Sequence, residues 1–230
     1  MFLSQLIIDP RNKFVRRDLG NCYELHRTIL SAFPEKDHVE FKVLFRLEES
    51  ALNKRTVVLV QSDICPDWKK LPGGYLIEQT LSNDITDSSL IKDLLPLLNF
   101  LENGMQARFR LYANPTKKIE TSRKGDTKKT NGKRIPLLTD YEQVDWLKKK
   151  GKLHGFELLE ISIQTRNLSK LTGTIKNSAE KNNLTFYGVH FEGKLRITDL
   201  ENFKDAIKNG IGSGKAFGYG LLSISPIISN

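Results

Sequence analysis

Gln106-Ala107-Arg108-Phe109-Arg110-Leu111-Tyr112 is the stretch on which the fold turns. Its residues alternate. Ala107, Phe109 and Leu111 fall on one side and Arg108 and Arg110 on the other, the period of a half-buried strand with a basic face. Upstream, residues 90–101 have the apolar spacing of a helix that Pro96 should kink. Pro66, Pro72, Gly73 and Gly74 mark irregular chain, and the β-branched runs 56–61 and 43–47 read as strands. Before them Asn21 can cap a helix with Glu24 completing a capping box, Cys22, Leu25, Ile29, Ala32 and Phe33 form its buried stripe, and Pro34 ends it. A loop with Pro10, Arg11, Lys13, Arg16 and Arg17 links that helix to a first strand over 2–8. With 106–112 as its last member the order is β-α-β-β-α-β, the ferredoxin-like pattern that RNA-recognition domains share.

Downstream the composition changes. Lys117, Lys118, Arg123, Lys124, Lys128, Lys129, Lys133 and Arg134 face only Glu120 and Asp126, and apolar residues almost vanish, which predicts a solvated basic arm. A second block follows. A helix is expected over 141–150 with Val144 and Leu147 inward, strands over 157–164 and 184–197, a helix over Leu200–Asn209, and a closing strand over 221–228. Residues 172–176 offer a further strand. The expectation is an α+β chain of two tandem ferredoxin-like (RRM-like) domains, 1–115 and 135–230, joined by a basic arm over 116–134.

The 230 residues carry 36 Lys and Arg against 27 Asp and Glu, a formal charge of +9, so the chain should be drawn to a polyanion. No apolar run approaches the roughly 20 residues of a membrane span. The opening Met1-Phe2-Leu3-Ser4-Gln5-Leu6-Ile7-Ile8-Asp9-Pro10 has no basic leader and reads as a strand, not a signal peptide. Cys22 and Cys65 fit no disulfide framework or zinc pattern, which suits a reducing cytoplasm. Neither a cofactor nor a metal is expected; Cys22 and His26, four apart, have no further ligands spaced to help them.

The segment from Gly210 to Gly220 is rich in glycine but is no nucleotide loop. Three residues, not four, separate Gly210 from Gly214-Lys215, and Ala216 stands where a magnesium-binding hydroxyl would be needed. A dinucleotide fingerprint opens a helix, whereas this segment leaves one. Two readings stay open. Gly212, Gly214 and Lys215 could cradle an RNA phosphate, or the glycines could only let the chain turn tightly over its own sheet.

Tyr23 and His26, three apart on the first helix, share one face, and Arg27 lies beside them. Metal-free RNA cleavage needs a proton taken from the ribose 2′-hydroxyl, a proton given to the 5′-oxygen, and charge beside the phosphorane. Histidine can move protons near neutral pH, tyrosine can orient a hydroxyl, and arginine or lysine can supply the charge. On spacing alone a surface histidine and a packing tyrosine are favoured over a catalytic pair. His38, His154 and His190 are scattered and are given no chemistry.

Met1-Phe2-Leu3-Ser4, Asp9-Pro10-Arg11 and Tyr23-Glu24-Leu25-His26-Arg27 together resemble the start of the type I-E CRISPR repeat-processing endoribonucleases, the CasE group of the RAMP superfamily. Gly210-Ile211-Gly212, Lys215-Ala216-Phe217-Gly218 and Gly220-Leu221-Leu222 are similar to that family's C-terminal glycine-rich loop. Arg110-Leu111, Ala113-Asn114-Pro115, Gly132-Lys133-Arg134 and Gly155-Phe156 match blocks between, in order. Ser213 and Tyr219 depart from the pattern. The resemblance implies tandem ferredoxin-like domains and metal-independent cleavage at the base of a CRISPR repeat stem-loop, by Tyr23 and His26. A cyclic phosphate and a 5′-hydroxyl would result, with the mature guide RNA retained and the chain joining the Cascade complex. The residues expected to touch RNA are Arg27, Arg108, Arg110, the arm's eight basic residues, Gly212, Gly214 and Lys215. The rival is a non-catalytic RNA-binding subunit of such a complex. Either would bind RNA less tightly as salt rises.

Overall fold

A computed structural model describes the chain except residues 36–38, 50–54, 78–88, 120–132, 178–179 and 228–230. It describes the backbone alone at 89–90, 133, 163–177 and 180–185. The strands are β1 (Phe2–Ile7), β2 (Val43–Glu49), β3 (Thr56–Ser62), β4 (Ser89–Asp93), β5 (Gln106–Ala113), β6 (Thr116–Ile119), β7 (Lys133–Pro136), β8 (Phe156–Asn177), β9 (Glu180–Ile197) and β10 (Leu222–Pro226). The helices are α1 (Lys13–Gly20), α2 (Cys22–Leu30), α3 (Leu95–Phe100), α4 (Asp140–Leu153) and α5 (Leu200–Asn209).

Two four-stranded antiparallel sheets result, ordered β2-β3-β1-β4 and β10-β5-β9-β8. Counted within each sheet, both run second-third-first-fourth from one edge, the ferredoxin-like arrangement twice over. In the second unit both crossover helices stand where that fold requires them, α4 between β5 and β8 and α5 between β9 and β10. Each sheet has its own core. Leu6, Ile8, Leu25, Ile29, Phe45 and Val60 belong to the first, and Phe109, Leu111, Leu147, Phe156, Phe191 and Phe203 to the second.

The strand 106–113 therefore belongs to the second sheet, not the first. Alternation says which side of a strand is apolar; it does not say which sheet receives it. Ala107, Phe109, Leu111 and Ala113 pack under α4 and α5, and β4 closes the first sheet against β1. Residues 90–101 accordingly divide into the end of β4 and the short α3, with Pro96 in the first helical turn, where a missing N–H costs nothing. Residues 13–20, expected as loop, form α1, whose N-terminus is capped by the Asn12 side chain accepting from the Phe14 N–H (2.8 Å). Residues 172–176 do pair, inside the long β8–β9 ribbon.

β2 joins the halves. Its Arg46 is wholly buried and donates to Glu48 Oε1 (2.7 Å), the Leu221 carbonyl (2.9 Å), Ser223 Oγ (2.9 Å) and the Arg110 carbonyl (3.2 Å). From β3, Gln61 Nε2 donates to the Ile207 carbonyl (2.7 Å). These bonds fix the first sheet against α5, β5 and the start of β10.

Candidate active site

Asn21 starts the site. Its side chain accepts from the Tyr23 N–H (3.1 Å) and its own N–H donates to the Asp18 carbonyl (3.2 Å), which sets α2 directly against α1. Glu24, three residues on, reaches Arg17 (3.7 Å) and Arg27 (3.5 Å). Cys22, Leu25 and Ile29 go inward as predicted, and burial pushes the Cys22 thiol pKa up. One step round the helix, His26 is half-buried with its ring stacked over Phe45 of β2, centroids 6.1 Å apart and planes 20° apart.

His26 opens onto a cleft of about 470 Å3 between the two halves, with Lys42, Val43 and Leu44 on one wall and Asn209, Lys215 and Ala216 on the other. Lys215 comes from the glycine-rich segment. Gly212 and Gly214 have φ of 91° and 79°, and a Cβ on either would press on Trp146 or Tyr219, at 3.1 and 3.0 Å. The loop is tied down by Ile211 N–H to the Gly220 carbonyl (2.9 Å) and Gly220 N–H to the Tyr112 carbonyl (2.7 Å). These glycines are thus required by the turn itself, and what the turn delivers to the cleft is Lys215.

The cleft is cationic. Burial lowers the Lys215 pKa, and the nearby charges of Lys150 and Lys42 lower it further. Among the described residues, no carboxylate lines the cleft. His154, at the end of α4, is half-buried, and its pKa is lowered by burial, then by Lys150 and Lys215. Two ammonium groups and an imidazole around one space offer donors to an anion, and amines that carry protons repel a cation.

The remaining expected residues are dispersed. Tyr23 is half-buried on the His26 face but beyond the residues lining the cleft. Arg27 is exposed, beside Glu24. Arg108 and Arg110 line a separate groove of about 710 Å3 between the sheets, where Arg110 is held by Glu192 (2.6 Å) and Glu48 (3.5 Å). Lys117, Lys118 and Arg134 stand exposed on the β6–β7 ladder, Lys117 beside Glu142 (3.3 Å) and Arg134 beside Thr116 (3.4 Å). Lys133 is described as backbone in that ladder, while Arg123, Lys124, Lys128, Lys129 and His38 lie outside the described residues. His190 lies on the Tyr112 ring, centroids 4.1 Å apart.

Ser213 and Tyr219 have structural places. Ser213 meets Asn114 and Thr116 at the foot of β6, and Tyr219 is buried between Tyr112 and Phe186. The sequence reading missed Lys42, Asn209 and Lys150. None sits in a motif, and only the folding of distant segments onto one another brings Lys42 and Asn209 to the cleft and the Lys150 charge near Lys215.

The profile of the family described as CRISPR associated protein matches residues 1–226. The chain is 34% identical to the CRISPR-associated endoribonuclease Cse3 of Thermus thermophilus, over 98% of this chain and 100% of that one. It is 28% identical to the CRISPR system Cascade subunit CasE of Escherichia coli, over 99% and 100% of the two chains. The solved structure of Cse3 bound to a 19-nucleotide RNA superposes with a TM-score of 0.80 at 33% identity, covering 98% of this chain and 100% of that one.

Proposed function

This chain belongs to the CRISPR-associated protein family, among its Cse3 and CasE endoribonucleases, and from that membership we propose that it cuts CRISPR repeat RNA at the cleft between its two halves. The substrate is the repeat stem-loop. The ribose 2′-hydroxyl attacks the adjacent phosphorus, the bond to the 5′-oxygen breaks, and the products carry a cyclic phosphate and a 5′-hydroxyl. His26 exchanges protons with the reacting oxygens, Tyr23 orients the strand from the same helix face, and Lys215 holds negative charge on the phosphate.

One observation carries this reading. His26 from α2 and Lys215 from the glycine-rich loop, 189 positions further along the chain (215 − 26), line a single cleft in which no carboxylate is found among the described residues. Such a donor set supplies electrostatically what a metal would otherwise supply, and it lacks the acidic oxygens that hold magnesium. Donors of this kind suit cleavage that needs no metal. A double-stranded stem shows proteins its phosphates and 2′-hydroxyls, which suits the exposed lysines and arginine of the β6–β7 ladder. The chain keeps its guide RNA, and it serves within a Cascade complex, of which its Escherichia coli relative is named a subunit.

The test is incubation with an RNA hairpin from the CRISPR repeats of the encoding organism, in excess EDTA. Cutting is expected, blocked by a 2′-deoxy substitution at the cut site and reduced about 10²- to 10⁴-fold in His26→Ala with binding kept. A requirement for magnesium would defeat the mechanism. Binding without cutting would leave an RNA-holding subunit in its place.

A further inference from the structure

Among the described residues lining the cleft, Lys42 is the one charge not yet given a task. It lies one residue before β2, its backbone pinned by Asp63: the Lys42 N–H donates to Asp63 Oδ2 (3.1 Å) and the Asp63 N–H donates to the Lys42 carbonyl (3.3 Å). The side chain turns into the cleft, where Nζ donates to Oδ1 of Asn209. Asn209 is the last residue of α5, at the root of the glycine-rich loop. Lys42 therefore reaches from the first half of the molecule to the segment that presents Lys215. An ammonium group has three hydrogens, and this bond to Asn209 uses one.

We propose that Lys42 is a catalytic residue, binding one non-bridging oxygen of the scissile phosphate from the wall opposite Lys215. This rests on the endoribonuclease reading above. Two cations held near each other, with no acid among the described residues lining the space, repel until an anion arrives, and a phosphodiester brings two non-bridging oxygens. As the O2′–P bond forms, the 2′-hydroxyl proton passes to a base. The P–O5′ bond breaks with its electron pair on the 5′-oxygen, which takes up a proton. Lys42 keeps its own protons throughout, and its charge offsets the negative charge that grows on the non-bridging oxygen.

The competing role is a clasp to Asn209 that only holds the halves together. Single-turnover cleavage of the repeat hairpin at saturating protein, with Kd measured in parallel, separates the two. Lys42→Gln keeps a hydrogen-bond donor for Asn209 but no charge, Lys42→Arg keeps the charge, and Asn209→Ala removes the clasp but leaves the ammonium. Lys42→Gln is expected to lower the saturated rate about 10- to 100-fold while Kd rises less than about fivefold, and Lys42→Arg to restore most of the loss. Asn209→Ala should lose less than Lys42→Gln. Lys42→Met replaces the glutamine variant should that one melt early. A glutamine variant as fast as wild type at saturation overturns the role, and so does an equal loss in Lys42→Arg or Asn209→Ala. A wild-type chain that binds the hairpin without cutting removes the nuclease reading and Lys42's role with it. A cutting wild type beside an unimpaired Lys42→Gln removes Lys42 alone.

Discussion

The ammonium of Lys215 is half-buried near Lys42 and Lys150, and burial first, then those two charges, bring its pKa below the ordinary lysine range. A base with a depressed pKa is harder to protonate in the folded chain than in the unfolded one. Its charged form thus weakens the fold at neutral pH, and the penalty fades as pH rises through the folded-state value toward the ordinary pKa of about 10.4. Lys215→Met should therefore raise the melting temperature of the RNA-free protein at pH 7 by about 1–2 °C. The gain should shrink in alkaline buffer, and cleavage should fall. A lower melting temperature at pH 7 would mean that Lys215 is a structural lysine. His26 has a different support, the Phe45 ring beneath it, which fixes the imidazole without competing for its protons.

At the scale of the element, the helix carrying Tyr23 and His26 depends on its cap. Asn21→Ala removes the acceptor for the Tyr23 N–H and should cost about 1 kcal/mol, which Asn21→Ser or Asn21→Asp should largely restore. Chemical denaturation measures the loss, and cleavage should decline alongside stability because the same turn aims His26. This element was legible in the sequence. Asparagine before an apolar stripe marks the start of a helix whatever surrounds it, and the stripe of Cys22, Leu25 and Ile29 packs as its spacing requires. Residues 200–209 were equally plain. Strand 106–113 was legible as a strand but not as a member of its sheet, because its alternation would serve either core. Residues 13–20 hid their helix behind three basic residues, Lys13, Arg16 and Arg17, with only Val15 and Asp18 buried. Lys42 and Asn209 gave no signal at all. Each is an ordinary polar residue until β2 and the end of α5 are laid side by side.

Across the whole molecule, the site exists only because the two halves are held in register. Arg46 does most of this, with its guanidinium closed off from solvent and shared among Glu48, Ser223 and two backbone carbonyls. Arg46→Met leaves those acceptors without their donor and should destabilise the chain by about 3 kcal/mol, a drop in melting temperature of roughly 6–12 °C. Arg46→Lys should recover only part of it, since one ammonium cannot span four acceptors. Cleavage measured well below both melting temperatures should still be slowed, because His26 and Lys215 sit on opposite sides of the joint that Arg46 clasps. Cleavage depends on one phosphate being held across that joint. A structure of the chain with a repeat hairpin carrying a 2′-deoxy nucleotide at the cut site tests it directly. The scissile phosphate is predicted to lie in the cleft, within hydrogen-bonding reach of both His26 and Lys215. A phosphate found instead in the groove between the sheets, beside Arg108 and Arg110 with His26 turned away, would contradict it.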